Sequence, residues 1–424
     1  MVFDLKDPKF WDERALLKEM YRIFDICNGC RLCYNLCPSF EFLFKKIDET
    51  DNLDDLTKED YFKVVELCYD CKLCFPKCPY TPPHHYELDF PRLMLRAKAV
   101  KAKKEGIPLR DKILGQADLI GKLGSKFAGL INLANRLKVS RVLMEKILGI
   151  HRERNLPEYH SETFEKWFKG YSKQNGKEEK GTKKVVLFYT CTVNYNEPKL
   201  GKAIVKVLEH NDIDVVVPEQ KCCGMPFLDG GDINSAIRSA TFNVKSLVNF
   251  VKQGFDVVVP APTCSYMLKQ EYPVLLPDDE DAKLVSQHTY DISEYLMKIH
   301  REGKLKTDFK NPQGKIIYHL PCHLKAQNIG YKSRDLLELI PGTEVEMIQR
   351  CSGHDGTWSM KKEFFEMSMR VGKPIFDKVN QSDSNSSICS DCLLAQLQIE
   401  KGTGKKGLHP IQILYNAYSL NEEK

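Results

Sequence analysis

Two short runs of cysteines near the start of the chain constrain its fold more than any other feature of the sequence. Both runs have the spacing C-x2-C-x2-C-x3-C-P. The eight cysteines are Cys27, Cys30, Cys33, Cys37, Cys68, Cys71, Cys74 and Cys78. Soft thiolate ligands at this spacing, present twice, are typical of proteins that hold two 4Fe–4S clusters.

The position of each proline predicts how the eight ligands are shared. In this motif three close cysteines bind one cluster, and the fourth, before the proline, ligates the other cluster. One cluster is therefore expected on Cys27, Cys30, Cys33 and Cys78, and the other on Cys68, Cys71, Cys74 and Cys37. Zinc and disulfides are the alternatives, but neither requires a triple spacing followed by Cys-Pro.

The whole chain has 16 cysteines among its 424 residues, twice the number in the two runs. Its first residues lack the basic start and apolar core of a secretory signal, so we expect a cytosolic protein. Grouped cysteines in such a protein bind metal more often than they form disulfides. No apolar run approaches the roughly 20 residues that a membrane-spanning helix needs.

The segment between the two cysteine runs predicts helix. A compact bacterial ferredoxin uses short hairpins and a tighter gap, whereas residues 58–67 have helical spacing of apolar residues. We therefore expect an α-helical ferredoxin-like domain with two 4Fe–4S motifs, followed by a helical connector.

A basic stretch, residues 92–154, follows the second cysteine run. It has 16 Lys/Arg against 5 Asp/Glu, while the whole chain has a net charge of only +5. Its apolar residues recur at helical spacing between the lysines. One interpretation is a helical hairpin packed on protein, and the other is an amphipathic surface on an anionic membrane leaflet. Nucleic-acid binding is not indicated, because no aromatic stacking pattern accompanies the charge.

The second half of the chain alternates strands and helices, and the pattern occurs twice. Residues 170–183 have the composition of a linker, and buried-strand runs begin at Val185 and again at Lys315. The sequence thus predicts an internal duplication of a βαβ-type lobe. The predicted class is α+β multidomain, with boundaries at 1–98, 99–181, 182–310 and 311–424.

Cysteines follow the predicted strands of both lobes, where α/β folds place their sites. Thirty residues separate Cys191 from Cys222, and 28 separate Cys322 from Cys351. Eight strand-end cysteines are metal-ligand candidates, for a cluster or for zinc. They are Cys191, Cys222, Cys223 and Cys264 in the first lobe, and Cys322, Cys351, Cys389 and Cys392 in the second. Ala261 is expected in the place of Cys389, and Ser352 in that of Cys223.

These motifs together resemble the iron–sulfur subunits of heterodisulfide reductases and related dehydrogenases, whose Cys-Cys-Gly (CCG) domains have such lobes. The residues that carry the resemblance include Gln220-Lys-Cys-Cys-Gly-Met-Pro, Pro321-Cys-His-Leu-Lys-Ala-Gln and Cys351-Ser-Gly. The resemblance implies an electron-transfer subunit that receives electrons from a flavoprotein dehydrogenase and passes them to menaquinone or another quinone. It also implies a peripheral position on the inner face of the cytoplasmic membrane, with contact through residues 92–154.

The resemblance further implies two 4Fe–4S clusters and one or two further clusters, or zinc, in the lobes. The alternative function is a heterodisulfide reductase-type catalytic subunit that uses a lobe-bound cluster. In that branch full five-cysteine lobes hold the catalytic cluster, and this chain departs from the pattern at Ala261 and Ser352. A zinc scaffold without redox activity is a third interpretation.

Further residues bear on the mechanism. No glycine-rich phosphate-binding motif is present, so we expect the flavin and the substrate chemistry to belong to a partner protein. The chain is then a subunit of an oxidoreductase complex rather than an enzyme alone. His319, His323 and His354 lie near strand-end cysteines, and we interpret them as groups that hydrogen-bond around a metal site rather than as catalysts.

Overall fold

The computed structural model describes residues 3–174 and 183–420. A helical N-terminal unit precedes a helical connector and two α/β lobes. The five α-helices of the N-terminal unit are α1 (Glu13–Cys30), α2 (Pro38–Thr50), α3 (Lys58–Leu67), α4 (Cys74–Lys77) and α5 (Phe90–Glu105). Aromatic and aliphatic side chains from α1, α2, α3 and α5 form its core.

Local sequence signals set the ends of these helices. The Asp12 carboxylate caps α1, and Thr57 with Asp60 forms a capping box at the start of α3. Helix α2 begins with Pro38, directly after Cys37, because proline suits the first turn of a helix. The cysteine runs thus occupy helix ends and the loops that join them.

The connector runs along the outside of the lobes. Its helices are α6 (Leu109–Gly115), α7 (Ala117–Lys126), α8 (Ala128–Arg136), α9 (Lys138–Leu148) and α10 (Phe164–Gln174). Glycines let α7 approach the first lobe closely, since a Cβ at Gly121 would lie 2.1 Å from the Tyr195 ring. None of the helices in the described residues is long and apolar enough to span a bilayer.

The first lobe is a parallel four-stranded sheet in the order β2-β1-β3-β4. Its strands are β1 (Lys183–Leu187), β2 (Ile213–Val216), β3 (Asp256–Val259) and β4 (Thr289–Asp291). Its helices are α11 (Thr190–Tyr195), α12 (Pro198–His210), α13 (Met225–Asp229), α14 (Ile233–Lys252), α15 (Pro262–Tyr266), α16 (Tyr272–Leu275), α17 (Glu280–Gln287) and α18 (Ile292–Arg301).

The second lobe repeats this topology with the order β6-β5-β7-β8. Its strands are β5 (Gly314–His319), β6 (Thr343–Ile348), β7 (Ser387–Ser390) and β8 (Gly407–Leu408). Its helices are α19 (Cys322–Ala326), α20 (Lys332–Leu337), α21 (Phe365–Gln381), α22 (Leu393–Thr403) and α23 (Pro410–Tyr418). The same strand order in both sheets fits the predicted duplication.

The two lobes share one hydrophobic core. Leu187 and Val258 from the first sheet and Tyr318 from the second belong to the same buried cluster. A second cluster on the other face of the first sheet includes Phe10 and Leu95, so the N-terminal unit packs against that lobe.

The predicted helical unit followed by α/β lobes is confirmed. The linker predicted over residues 170–183 overlaps the end of α10, which continues to Gln174, and residues 175–182 lie outside the described residues. The four boundaries stay predictions. Strand β8 has two residues and β4 has three, so neither shows a recognisable pattern in the sequence.

His409 joins the two lobes at the start of α23. Its Nε2 lies 3.0 Å from the Pro260 carbonyl oxygen, and its Nδ1 accepts a hydrogen bond from the Ile411 N–H at 3.1 Å. Burial lowers the pKa of His409 to about 4, from the ordinary value of 6.5. The folded protein therefore keeps this side chain neutral at pH values where the unfolded chain protonates it.

We expect His409 to make stability depend on pH. Between pH 6.5 and about 4 the unfolded chain binds a proton that the folded chain does not, so stability falls as the pH falls. Between pH 7 and pH 5 the loss should be about 2 kcal/mol. The free energy of unfolding of His409→Gln, measured in urea, should depend on pH less strongly than that of the unaltered protein, by this amount. The exposed His85→Gln is the control, and an equal change in both variants would contradict the assignment.

Candidate functional site

The structure brings the first predicted ligand set together. The thiol of Cys27 interacts with those of Cys30, Cys33 and Cys78. Burial, followed by the neighbouring thiols, raises the pKa of Cys27 well above its ordinary value. A neutral thiol is thus favoured when nothing else is bound, and a metal cluster would offset the cost of four thiolates.

The second predicted set also comes together. The Cys74 thiol interacts with Cys71, Cys68 and Cys37, and burial is the largest cause that raises its pKa. Cys37 contributes from the first run, and Cys78 from the second joins the first set. The spatial arrangement therefore has the exchange between runs that the spacing predicts.

Backbone conformation wraps each run around its site. Arg31 has φ of 50°, Asp70 has φ of 50° and Lys72 has φ of 63°, a left-handed region that side chains other than glycine rarely occupy. Cys37 precedes α2, and the N–H groups of Ser39 and Phe40 hydrogen-bond its sulfur. Such N–H donors favour a thiolate and tune a bound cluster.

A buried ionic group supports the second set. Asp70 pairs with Lys98, and it lies 3.5 Å from Lys72 Nζ, with the side chains of Asp70 and Lys72 each 1% exposed. Burial raises the pKa of Asp70, but the positive charges of Lys72 and Lys98 outweigh burial and hold this pKa below its ordinary value. His323 Nε2 contacts the Asp70 carbonyl oxygen at 3.1 Å. This loop is therefore fixed against the second lobe.

The four cysteines of the first lobe also lie together. Cys191 and Cys223 both hydrogen-bond Cys222, which lowers its pKa, and Cys223 also hydrogen-bonds Cys264. The connector reaches this site, because Asp118 Oδ2 accepts the Cys222 N–H at 2.6 Å. Four adjacent thiols are a suitable donor set for a cluster or for zinc.

The second lobe does not gather its four predicted cysteines at one point. Cys322 hydrogen-bonds Cys351 and also Cys71 of the N-terminal unit. The Tyr69 hydroxyl lies 3.5 Å from Cys351 Sγ, and the Gly353 N–H donates to the same sulfur at 3.3 Å. The hydrogen bonds with Cys322, Tyr69 and Gly353 lower the pKa of Cys351 to about 7.

Cys389 occupies a core position. In the second sheet Cys389 is the strand partner of Tyr318, and in the first sheet Val258 is the strand partner of Leu187. Tyr318 and Leu187 are equivalent positions, because each lies four residues before the first cysteine of its lobe, Cys322 or Cys191. Cys389 is 0% exposed in the shared core, and burial, followed by the Asp391 carboxylate, raises the pKa of its thiol. The predicted equivalence with Ala261 is therefore wrong, and Val258 is the structural counterpart.

Cys392 is the counterpart of Ala261, because each is the N-cap of the helix after its strand. Ala395 follows Cys392 by three residues, as Cys264 follows Ala261, so Ala395 occupies the place of Cys264. The second lobe thus keeps three of the five template cysteines, and the first lobe keeps four. Asp355 and Asp391 influence Cys392, whose pKa burial raises to about 11, and no interaction joins it to Cys351 in the described residues.

This difference predicts opposite results for two cysteines. Cys389→Val should leave the metal content unchanged and alter the free energy of unfolding by less than about 1.5 kcal/mol, because it exchanges similar apolar volumes. Cys264→Ser should instead lower the metal content. Metal analysis and urea unfolding of both variants test these expectations. Loss of metal from Cys389→Val would contradict them and identify Cys389 as a metal ligand.

An open cleft of about 440 Å³ lies between the N-terminal unit and the second lobe. Four cysteines line it: Cys37, Cys71, Cys322 and Cys351. Arg350 and Arg370 line the same cleft. The second ligand set is therefore the one adjacent to the second lobe and accessible to a small molecule.

The three histidines near these cysteines are all buried, and burial lowers the pKa of each. His319 Nδ1 lies 3.0 Å from Ser390 Oγ, and His323 Nδ1 lies 2.9 Å from Thr263 Oγ1. The neutral, hydrogen-bonded rings of His319 and His323 position the backbone around a site. His354 differs from the expectation, because neither of its ring nitrogens has a hydrogen-bond partner in the described structure. Direct participation in proton transfer is not indicated by these contacts.

Sequence reasoning missed several residues of these sites. Tyr69 and Asp70 lie between predicted ligands in the sequence, but Tyr69 contacts Cys351, and the Asp70 carbonyl oxygen contacts His323, both in the second lobe. Asp118 is 104 residues away from Cys222. No local pattern indicates that it reaches this site.

Two family models match the chain. The citrate utilization protein B Fer4-like domain matches residues 20–104, which cover most of the helical unit. The cysteine-rich (CCG) domain matches twice, at residues 185–269 and 316–397. Both lobes therefore belong to one domain family, and the chain binds iron–sulfur clusters.

Known relatives include components of redox complexes. One subunit of the anaerobic glycerol-3-phosphate dehydrogenase of Escherichia coli (strain K12) is 33% identical over 73% of this chain and 77% of its own length. Lactate utilization protein A of Bacillus pumilus is 28% identical over 56% of this chain and 99% of its own. One subunit of the fumarate reductase (CoM/CoB) of Methanothermobacter marburgensis is 29% identical over 54% of this chain and 44% of its own. The protein described here therefore belongs to the same family as the matching subunit of anaerobic glycerol-3-phosphate dehydrogenase.

Proposed function

We propose that this iron–sulfur protein takes electrons from a flavoprotein dehydrogenase subunit and passes them to menaquinone or another quinone. The observation that carries the proposal is the continuous group of thiols from the N-terminal unit to the second lobe. The second ligand set reaches Cys322 through Cys71, and Cys351 lies beside Tyr69. Relatives that are named as dehydrogenase or reductase subunits support an assembly with partner proteins.

The two thiol sets of the N-terminal unit are the proposed ligands of two 4Fe–4S clusters. Cys27, Cys30, Cys33 and Cys78 hold one, and Cys68, Cys71, Cys74 and Cys37 hold the other. When bound, such clusters supply one-electron carriers, while the chain's contribution is to bury and hydrogen-bond the sulfurs. The buried Asp70 and Lys72 pair, and the N–H donors at Cys37, perform this role in the second set.

A third metal site is proposed in the first lobe, on Cys191, Cys222, Cys223 and Cys264. A further cluster is the favoured occupant, and zinc is the alternative because four thiolates satisfy either. Among the described residues, no three Cys, His, Asp or Glu side chains are already arranged as ligands of a single metal ion, so the present positions of the four thiols do not themselves favour zinc. Metal analysis decides between the two occupants.

The connector is proposed to hold the protein on the anionic inner leaflet of the cytoplasmic membrane. Ten of the fourteen exposed large hydrophobic side chains of the described residues lie on it. They are Leu109, Leu119, Leu123, Phe127, Leu130, Leu133, Leu137, Val139, Leu143 and Ile147. Exposed lysines lie between them, including Lys122, Lys126 and Lys146. Apolar side chains with interspersed lysines are the pattern of an interfacial surface on anionic lipid.

Anaerobic co-purification of the chain with candidate flavoprotein dehydrogenase subunits tests this function. We expect a stable complex, at least about eight irons per chain, and EPR signals from two reduced clusters. Twelve or more irons per chain would indicate a further cluster in the first lobe. About eight irons together with zinc would indicate that the first lobe holds a structural zinc ion. Purification without a flavoprotein and with zinc alone would contradict the proposal.

A second candidate function is reduction of a disulfide. It is favoured by the open cleft, in which Cys322 and Cys351 lie beside the cysteines of the second set. The absence of a full five-cysteine lobe argues against the cluster-based chemistry of the heterodisulfide reductase branch. Disulfide reductase activity of the isolated chain, supplied with an artificial electron donor, would favour this candidate over the first.

A further inference from the structure

The open cleft between the N-terminal unit and the second lobe has walls that suit a flat, apolar molecule. Its volume of about 440 Å³ lies in the range of small-molecule sites, which commonly form between domains. Tyr34 and Tyr69 line it with aromatic rings. Six apolar side chains complete these walls: Leu36, Pro38, Leu73, Leu320, Val371 and Pro374. An apolar ring bound here would displace water from most of this surface.

Neighbouring rings hold the two tyrosines of the cleft in place. Tyr34 stacks on Phe44 with ring centres 5.7 Å apart, and the centre of the Tyr69 ring lies 5.0 Å from that of Trp358. Trp358 stacks in turn on Phe364, at 4.5 Å. The contact between Tyr69 and Trp358 joins the N-terminal unit to the second lobe. The wall is therefore formed before any ligand binds, which reduces the entropy lost on binding.

The cleft also reaches the second ligand set. Cys37 and Cys71 of that set line it, and Cys71 interacts with Cys322 of the opposite wall. A molecule in the cleft would therefore lie directly beside the ligands of the proposed second cluster, with no part of the chain between them. Holding donor and acceptor together in this way favours a reaction between them.

One hydrogen-bond donor of the cleft is without a partner. The Arg350 guanidinium lines the cleft and makes no ion pair or hydrogen bond with residues 3–174 or 183–420. In contrast, Lys325 Nζ donates to Gln349 Oε1 at 3.0 Å, so these two side chains satisfy each other. Arginine can only donate, and it is thus available for an acceptor such as a carbonyl oxygen.

The cleft is connected to the connector through one segment of the second lobe, residues 358–364. Ile150 pairs with Lys361 in an antiparallel bridge, and the Lys362 N–H donates to the Gly149 carbonyl oxygen at 2.8 Å. Trp358 begins the same segment and contacts Tyr69 of the cleft wall. A few side chains thus separate the proposed membrane surface from the cleft, which suits a ligand that is dissolved in lipid.

We propose that this cleft binds the ring of the quinone acceptor, with Arg350 donating a hydrogen bond to one of its carbonyl oxygens. The inference rests on the proposed electron transfer and adds the place where it ends. The ring matches the apolar walls, and quinone carbonyl oxygens only accept hydrogen bonds, which matches a free donor. The quinone gains two electrons, which the flavoprotein supplies through the iron–sulfur protein, and two protons from water in the open cleft. Both carbonyl oxygens then become hydroxyls.

Anaerobic equilibrium dialysis of the full chain against a dimethylnaphthoquinone tests the site. The test variant is Val371→Trp, because Val371 is a half-buried residue of α21 in the cleft wall and an indole there would occupy the cleft. Lys373→Trp is the matched control, since Lys373 is exposed on the same helix outside the cleft. We expect Val371→Trp to bind the quinone at least about tenfold more weakly, and the control to match the unaltered protein. Equal binding by all three proteins would overturn the proposal.

EPR locates the bound ring. With dithionite present, both the protein and the naphthoquinone are reduced, so the ligand cannot remove electrons from the protein. Its addition should change the signal assigned to the second ligand set in the unaltered protein and in Lys373→Trp, but not in Val371→Trp. A change confined to the signal of the set that contains Cys27 would place the quinone elsewhere and overturn the proposal.

A substitution of Arg350 tests its hydrogen bond. Arg350→Gln should raise the KM for the quinone about tenfold with kcat unchanged, because the bond contributes to binding before and during the reaction. Arg301→Gln, which removes an exposed arginine of the first lobe, is the control for the lost charge. An equal KM in both variants would overturn the role of Arg350.

The site and the proposed function fail in different ways. If Val371→Trp reduced quinone as fast as the unaltered chain, electron transfer would stand and the cleft would be excluded; loss of disulfide reduction alone in that variant would assign the cleft to a disulfide instead. If the cleft bound quinone but the flavoprotein could not reduce it through this chain, the site would stand and the electron transfer would be wrong.

Discussion

Replacing Cys74 with serine should remove about four irons per chain and abolish electron transfer through the protein. Cys74 is buried and interacts with all three other thiols of the second set. A serine hydroxyl is a poor replacement for a soft thiolate ligand, so the remaining three cysteines should not retain a full cluster. Iron analysis and EPR of the anaerobically purified variant measure the loss, and Cys389→Val is the matched control with a buried non-ligand cysteine.

A pair of variants tests how the ligands are shared. Cys37→Ser should disturb the same EPR signal as Cys74→Ser, although Cys37 belongs to the other run. Cys78→Ser should disturb the signal of the set that contains Cys27. If Cys37→Ser and Cys27→Ser alter one common signal, each run holds its own cluster and the proposed exchange is wrong.

Removal of the apolar side chains from the connector should release the protein from membranes. The variant is Leu130→Ser/Leu133→Ser/Leu143→Ser, because these leucines are 56–70% exposed and serine leaves the net charge unchanged. A loss of about 1 kcal/mol per leucine corresponds to binding about 100-fold weaker. Sedimentation with phosphatidylglycerol-containing vesicles measures this change.

The control for this variant is Tyr21→Ser, which replaces an exposed hydrophobic residue, at 40%, outside the connector. It should bind vesicles like the unaltered protein. Equal vesicle binding by the triple variant would contradict the membrane surface. Loss of binding to the flavoprotein partner, with vesicle binding intact, would instead identify the connector as a protein interface.

The grouping of the cysteine thiols in the N-terminal unit was largely predictable because cysteine spacing is a local property. Helix α3 was predicted at its observed bounds, since its capping residues and apolar spacing are also local. The exchange of Cys37 and Cys78 between sets followed from the proline rule. These features are set by residues that lie close together in the chain, so a pattern in the sequence is sufficient to predict them.

The second lobe was less predictable, because its site depends on register and on another domain. Cys389 and Cys392 form a C-x2-C pair in the sequence, yet the strand places Cys389 in the core. In the folded protein Cys322 contacts Cys71, and Cys351 contacts Tyr69, both from the N-terminal unit. The spacing of cysteines in the sequence does not predict these contacts between domains. The same limit applies to Asp118 at Cys222.

The central claim is that this chain conducts electrons from a flavoprotein to quinone. Its most direct test is anaerobic reduction of a menaquinone analogue by the flavoprotein and its substrate, with the chain absent, present, or present as Cys74→Ser. We predict rapid quinone reduction only with the unaltered chain, and a rate at least about 100-fold lower in the other two reactions. Equal rates in all three reactions would contradict the claim, because the flavoprotein would then reduce quinone without this protein.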